Sequence, residues 1–96
     1  MGACNFTDYG TGATAKEAFN GARETAQYDH GHSGYTGTIA EKDSFVMIDL
    51  PEGKEAGDYI DELLDNADSR ISDKWGPAGC IKTGDDTYLF FGWASE

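Results

Sequence analysis

The hydrophobic and polar positions along the chain are most regular in one amphipathic stretch, from Glu55 to Ser72. On a helical wheel of about 100° per residue, its apolar side chains gather on one side and its acids on the other. The apolar side comprises Ala56, Tyr59, Ile60, Leu63, Leu64, Ala67 and Ile71, and the acidic side comprises Glu55, Asp58, Asp61, Glu62, Asp65 and Asp68. The pattern predicts a helix that packs its apolar side on a core and turns its acids to water or to a cationic partner.

A second helix is predicted to begin at Thr14. Thr14 and Glu17 have the spacing of a capping box, in which the threonine hydroxyl accepts from the Glu17 amide and the glutamate returns to the Thr14 amide. The pattern continues to about Tyr28, and its apolar face is mostly alanine. Such a face allows the helix to lie close to what it covers.

Strand patterns follow each helix, at Thr38–Ala40, Phe45–Leu50, Ala78–Lys82 and Thr87–Trp93, with a weaker edge strand at Asn5–Gly12. The second segment is apolar on both alternations except at Asp49, which predicts a central strand. The α-β-β-α-β-β order predicts one α+β domain over residues 1–96, with a four-stranded antiparallel sheet of two hairpins and both helices on one face. The other face would carry the aromatic residues of Thr87–Trp93, either covered by the N-terminal segment or exposed as a partner contact.

The charge of the chain restricts the partners it can have. Eighteen acids against seven Lys and Arg give a net charge of −11, which argues against direct binding to nucleic acid or to an anionic membrane. A small domain needs a net charge of magnitude only about 2–8 to stay soluble. A partner with a basic groove suits this surface, and a solvated surface without a partner is the alternative.

Location and redox state follow from further absences in the sequence. No apolar run approaches the roughly 18–20 residues of a membrane span, and the N-terminal MGACNF lacks the pattern of a secretory signal. Cys4 and Cys80 do not have the spacing of a redox or disulfide motif, so we expect reduced thiols. A cytoplasmic protein is predicted.

Candidate chemistry is sparse. Asp29, His30 and His32 are weak candidates for metal ligands, because such a site needs further ligands at defined distances. Histidines at the end of a helix are the alternative interpretation. The chain has no phosphate-binding glycine motif and no nucleophile signature, so we expect no cofactor and no enzyme activity, with a metal-dependent enzyme as the least favoured hypothesis.

The acids of the long helix carry the main functional signal. From Glu55 to Asp68 they would span about 20 Å, roughly one charge per 3–4 Å, against one phosphate per about 3.4 Å along a DNA strand. Phosphate mimicry is therefore one hypothesis, and a solvated helix face is the other. The predicted partner-binding residues are Asp58, Asp61, Glu62, Asp65 and Asp68.

Ala15 to Lys42 (AKEAFNGARETAQYDHGHSGYTGTIAEK) resembles small uncharacterised proteins carried by phages and other mobile elements. Small acidic proteins of this kind often inhibit host defence, as anti-CRISPR and antirestriction proteins do. The resemblance implies an inhibitor in the host cytoplasm that binds a defence protein or nucleoprotein complex with a basic groove. The alternative is a small adaptor or homodimer that uses its aromatic sheet face and the loop at residues 30–35.

Overall fold

Strands and helices alternate along the chain as far as the second helix, and two consecutive strands follow it. The structure, a computed structural model, describes residues 3–30, 39, 42–66, 68–73 and 76–95. Its elements are β1 (Ala3–Thr11), α1 (Ala15–His30), β2 (Phe45–Met47), α2 (Ala56–Asp65), β3 (Ala78–Lys82) and β4 (Thr87–Ser95). The α+β class is therefore confirmed. The element order differs from the predicted one, because a strand precedes the first helix.

The four strands form one mixed sheet in the order β1-β4-β3-β2. Strands β1 and β3 pair antiparallel with β4, whereas β2 pairs parallel with β3. The prediction of a wholly antiparallel sheet of two hairpins is wrong. Only β3 and β4 are joined as a hairpin, and α2 serves as the crossover that a parallel pair such as β2 and β3 requires.

The fourth strand of the sheet comes from the N-terminal segment. Strand β1 pairs with β4 along its whole length, from Ala3 opposite Ser95 to Thr11 opposite Thr87. In the segment predicted as Thr38–Ala40, Ile39 is a buried residue in a 3₁₀ turn, and its two neighbours lie outside the described residues. The prediction of a central strand at Phe45–Leu50 is also wrong, because β2 is three residues long and lies at the edge of the sheet.

The two helices cover opposite faces of the sheet. Successive residues of a strand point to opposite faces, and those of β4 divide between two apolar clusters. Tyr88 and Phe90 pack with Phe19 of α1, whereas Leu89 and Phe91 pack with residues of α2. The prediction of both helices on one face is therefore wrong. Tyr88, Phe90 and Phe91 of β4 are buried, whereas Trp93 is half-buried.

Helix α1 begins at the predicted cap and lies close to the sheet. The Glu17 amide donates to Thr14 Oγ1 at 3.2 Å, as the capping box requires, while the Glu17 carboxylate accepts from the Ala13 amide at 3.0 Å instead of from Thr14. A Cβ atom at Gly10 of β1 would stand 2.4 Å from the Ala18 carbonyl oxygen. The glycine and the alanine face together allow this close approach.

The basic side chain of Lys42 lies in the interior. Lys42 is 1% exposed, and its Nζ donates to the carbonyl oxygens of Gly76 at 3.0 Å and of Asp73 at 3.5 Å. The ammonium also lies 6.0 Å from the centre of the Phe6 ring. These contacts tie the segment before β2 to the turn before β3.

Among the helices described, none is long and apolar enough to cross a membrane.

Candidate acidic interface on helix α2

Burial of one side of α2 fixes the direction in which its acids point. Ile60, Leu63 and Leu64 are each no more than 6% exposed and pack against Ile81, Leu89 and Phe91 of the sheet. The opposite side of the helix is exposed and carries a row of three aspartates with i, i+3 and i+7 spacing. We call this row the acidic stripe, and it consists of Asp58, Asp61 and Asp65.

Backbone hydrogen bonds set the length of α2. The helix starts when the Tyr59 amide donates to the Glu55 carbonyl oxygen at 3.0 Å. At the other end the Asn66 amide bonds to the Glu62 and Leu64 carbonyls, and the Asp68 amide donates to the Leu63 carbonyl at 3.1 Å, a bond pattern that closes helices. The predicted helix to Ser72 is therefore too long.

Ile71 is buried as the helical wheel indicated, although the helix has ended before it. The chain turns after Asp68, and the Ile71 amide donates to the Asp68 carbonyl oxygen at 3.0 Å. This turn returns Ile71, which is 1% exposed, to the same apolar cluster as α2. Ala67, also predicted on the apolar side, lies outside the described residues.

Two of the five predicted partner-binding acids are paired within the chain. Lys54, just before α2, reaches the Glu62 carboxylate, and its Nζ lies 5.6 Å from the centre of the Tyr59 ring. Asp68 lies beyond the helix and accepts two hydrogen bonds from the Arg70 guanidinium, at 2.9 and 3.0 Å, besides one from the Arg70 amide. These bonds lower the pKa of Asp68 from 3.8 to about 2.

The three residues of the acidic stripe have no such partners in the part of the chain that the structure describes. They lie about 4.5 and 6 Å apart along the helix axis, so that the stripe is about 10 Å long instead of the predicted 20 Å. This length corresponds to about three phosphates along one DNA strand. Of the five predicted acids, these three thus form a compact group without ion-pair partners among the described residues.

The acidic stripe weakens the helix that carries it. Like charges three or four residues apart destabilise a helix by roughly 0.2–0.5 kcal/mol per pair, and the stripe has two such pairs. Asp65 adds a negative charge to the last turn, where the described helix has no basic residue to offset the negative end of its dipole. Asp58, in the first turn, interacts favourably with the positive end of the dipole, but helix stability does not account for Asp61 and Asp65.

The other predicted sites are not assembled among the described residues. Asp29 and His30 belong to the last turn of α1, but their side chains and the whole of His32 lie outside the part that the structure describes. Within that part, no group of three or more His, Cys, Asp or Glu residues could hold a metal ion. Tyr88 and Phe91, on which the adaptor hypothesis relied, are 5% and 0% exposed and belong to the core.

The weaker edge strand predicted at Asn5–Gly12 is confirmed as β1, but sequence reasoning did not identify its outer edge as a surface. Its signal was the alternation of polar Asn5 and Thr7 with apolar Phe6, which is typical of a strand with one face exposed. Tyr9 continues the exposed row and is 71% exposed.

Comparisons of the chain with protein-family models, curated proteins and solved structures found no match.

Proposed function

We propose that this protein is a non-enzymatic inhibitor whose acidic stripe occupies a cationic, nucleic-acid-binding surface on another protein. The proposed partner is a host defence protein or nucleoprotein complex, and the proposed carrier is a phage or another mobile element. The observation that carries the proposal is the stripe itself. Three aspartates without partners among the described residues project from a helix that is held against the sheet by buried residues.

The geometry of the stripe suits binding to Arg and Lys side chains. Aspartate holds its carboxylate close to the backbone, so that little side-chain freedom is lost when a partner binds. Each carboxylate can accept charge-assisted hydrogen bonds from a guanidinium or an ammonium group, which are stronger than bonds between neutral groups. The stripe can therefore take the place of phosphates in a groove that binds them.

The remaining charge of the chain supports the same proposal. Of the basic residues near the stripe, Lys54 is engaged with Glu62 and Arg70 with Asp68, so neither neutralises the stripe directly. The net charge of −11 attracts cationic surfaces from a distance and speeds association with them. Binding of this kind weakens as salt increases, because exposed charges are screened beyond about 8 Å at physiological ionic strength.

The test uses two triple variants with the same net charge. The stripe variant carries Asp58→Asn, Asp61→Asn and Asp65→Asn. The control variant carries Glu24→Gln, Asp49→Asn and Asp85→Asn, three exposed acids outside α2. Each variant raises the net charge from −11 to −8, so that a difference between them reports the position of the charges.

Each tagged protein is used to capture partners from a host lysate, and the affinity for the captured partner is then measured. Three exposed ion pairs of about 0.5–1 kcal/mol each predict a loss of roughly 10- to 150-fold for the stripe variant. The control variant is expected to bind within a few-fold of the wild type. Equal affinities of the two variants, or affinity that does not change between low and high salt, would rule out the proposed role of the stripe.

A further inference from the structure

Strand β1 forms one edge of the sheet and is unusually long for an edge strand. It has nine residues and pairs only with β4, and no other described segment lies beside its outer edge. The side chains of β1 on the sheet face opposite α1 are those of Asn5, Thr7, Tyr9 and Thr11, and all four are exposed. An edge of this length presents a row of unpaired backbone groups that can accept another strand.

The hydrogen-bond pattern shows which backbone groups face outward. The Gly12 amide donates to the Asp86 carbonyl at 3.0 Å. In this register, the even-numbered residues of β1 therefore direct their backbone N–H and C=O groups towards β4. Because bonding alternates along an antiparallel pair, the odd-numbered residues of β1 direct their N–H and C=O groups away from the sheet. The Thr83 amide bonds to the Thr87 carbonyl at 2.9 Å, which shows the same alternation on the other side of β4.

Most of the features that usually block an edge strand are missing from β1, and Asp8 is its one charged residue. Proteins protect sheet edges with short strands, prolines, bulges and lysines. Strand β1 contains no Pro, Lys or Arg, and its register with β4 runs without a bulge. The opposite edge differs, since β2 has three residues and Pro51 follows shortly after it. The contrast within one sheet singles out β1 as a pairing surface.

We infer that the outer edge of β1 pairs antiparallel with β1 of a second copy of this chain, about a two-fold axis at Thr7. Two copies would then share one continuous sheet of eight strands. The inference goes beyond the proposed inhibitor function and does not depend on it. The surface is also distinct from the acidic stripe, because α2 packs on Ile81, Leu89 and Phe91 of β3 and β4.

The sequence of β1 suits pairing about Thr7 better than pairing in a neighbouring register. Thr7 is the middle residue of Ala3–Thr11, so pairing about it uses all nine residues and places every odd residue opposite an odd residue. Thr7 then faces Thr7 of the second copy, and Asn5 faces Tyr9. Moving the two-fold axis by one residue, from Thr7 to Asp8, places Asp8 opposite Asp8 of the second copy. Like charges directly opposite each other are destabilising.

Charge explains why a second copy, despite the acidity of the chain, suits this edge. Asp8 is the only charged residue among the nine of β1, although the whole chain has a net charge of −11. In the register about Thr7, Asp8 of one copy faces Phe6 of the other. Self-pairing therefore opposes no pair of like charges along the strand. An extended peptide from another protein is the competing occupant of the same edge.

The test measures molecular mass by sedimentation equilibrium over a range of concentrations. The wild type is expected to reach twice the 10.4 kDa mass of the single chain. Thr7→Asp and Thr7→Lys each place two like charges at the two-fold axis, so each alone is expected to stay at 10.4 kDa. An equimolar mixture is expected to return to the doubled mass, because the opposite charges then face each other.

Thr83→Asp and Thr83→Lys are the matched controls, since Thr83 is an exposed threonine in the turn after β3, away from the β1 edge. Both are expected to keep the wild-type mass, and circular dichroism checks that each variant is folded. A wild type that stays at 10.4 kDa overturns the inference, whether or not β1 binds a peptide. Thr7 variants that keep the doubled mass overturn the edge contact, and a mixture that does not recover overturns the register.

Discussion

Asp65 occupies the last turn of α2, where the helix carbonyls carry a partial negative charge and no described basic side chain offsets it. It also lies four residues after Asp61, on the same exposed side of the helix. Asp65→Asn keeps the shape of the side chain and removes its charge. We expect this substitution to stabilise the fold.

The magnitude follows from two contributions. Removal of a negative charge from the C-terminal turn is worth about 0.3–1 kcal/mol, and relief of one like-charge pair adds about 0.2–0.5 kcal/mol. The free energy of unfolding should therefore rise by about 0.5–1.5 kcal/mol. For a domain of this size, such a change corresponds to an increase in Tm of roughly 2–12 °C.

Asp58→Asn is the matched control, because it removes the same charge from the first turn of the same helix. There the charge interacts favourably with the helix dipole, and this loss offsets the relief of repulsion with Asp61. We expect almost no change in stability. Thermal unfolding of both variants is followed by circular dichroism at low salt and at about 1 M salt, where the Debye length falls to about 3 Å.

The electrostatic interpretation of α2 requires a larger gain for Asp65→Asn than for Asp58→Asn, and a smaller difference at high salt. It is wrong if Asp65→Asn leaves the protein equally or less stable, or if both variants change stability alike. A variant that gains stability and loses affinity for the partner would show that the charge at this position serves binding at a cost to folding.

Three further predictions concern the interior and the turns. Lys42→Met keeps an apolar stem but leaves the Gly76 carbonyl without its donor, so the urea midpoint should fall by an amount equivalent to about 1.5–3 kcal/mol; an unchanged midpoint would contradict this. Burial raises the pKa of the Cys80 thiol to about 11, so a thiol reagent at pH 8 should leave Cys80 unmodified until the protein unfolds, as peptide mass mapping can show. The bonds from Arg70 hold the pKa of Asp68 at about 2 in the folded protein against 3.8 ordinarily, so its contribution is complete above pH 4 and is lost as pH falls towards 2. Because the pair is partly exposed, Asp68→Asn should reduce the loss of stability between about pH 4 and pH 2 by only about 0.2–1 kcal/mol. A pH dependence equal to that of the wild type would contradict the pairing.

Local patterns predicted the elements better than their arrangement. The capping residues near Thr14 and the apolar runs at Ala78–Lys82 and Thr87–Trp93 specify structure through neighbouring residues, and these elements are present. Pairing between strands depends on contacts between distant residues, which no local pattern encodes. The continuous apolar run of β4 did contain a clue, because a strand with one exposed face would alternate, whereas Leu89 and Phe90 are both buried.

The end of α2 shows a second reason for failure. A helical wheel records the period of apolar residues, and Ile71 fits the buried side of a continued helix. The structure reaches the same burial with a turn, which the Asp68 amide and the Leu63 carbonyl help to close. The wheel therefore predicted which residues are buried without predicting the backbone between them.

The candidate site was predicted only in part, and the reason is related. The wheel placed Asp58, Asp61 and Asp65 correctly on the exposed side of α2. It could not show that Lys54 folds back to Glu62, eight residues along the chain, because Lys54 precedes the helix. Ion pairs that involve residues outside a regular element need the backbone path, which the sequence pattern alone does not provide.

Competition for the captured partner tests the central claim most directly. A fluorescent oligonucleotide is bound to the partner, and the protein is added while fluorescence anisotropy is recorded. The wild type and the control triple variant should displace the oligonucleotide at similar concentrations, whereas the stripe variant with Asp58→Asn, Asp61→Asn and Asp65→Asn should need a concentration at least about tenfold higher. Displacement by the stripe variant at the wild-type concentration, or simultaneous binding of protein and oligonucleotide, would contradict the account.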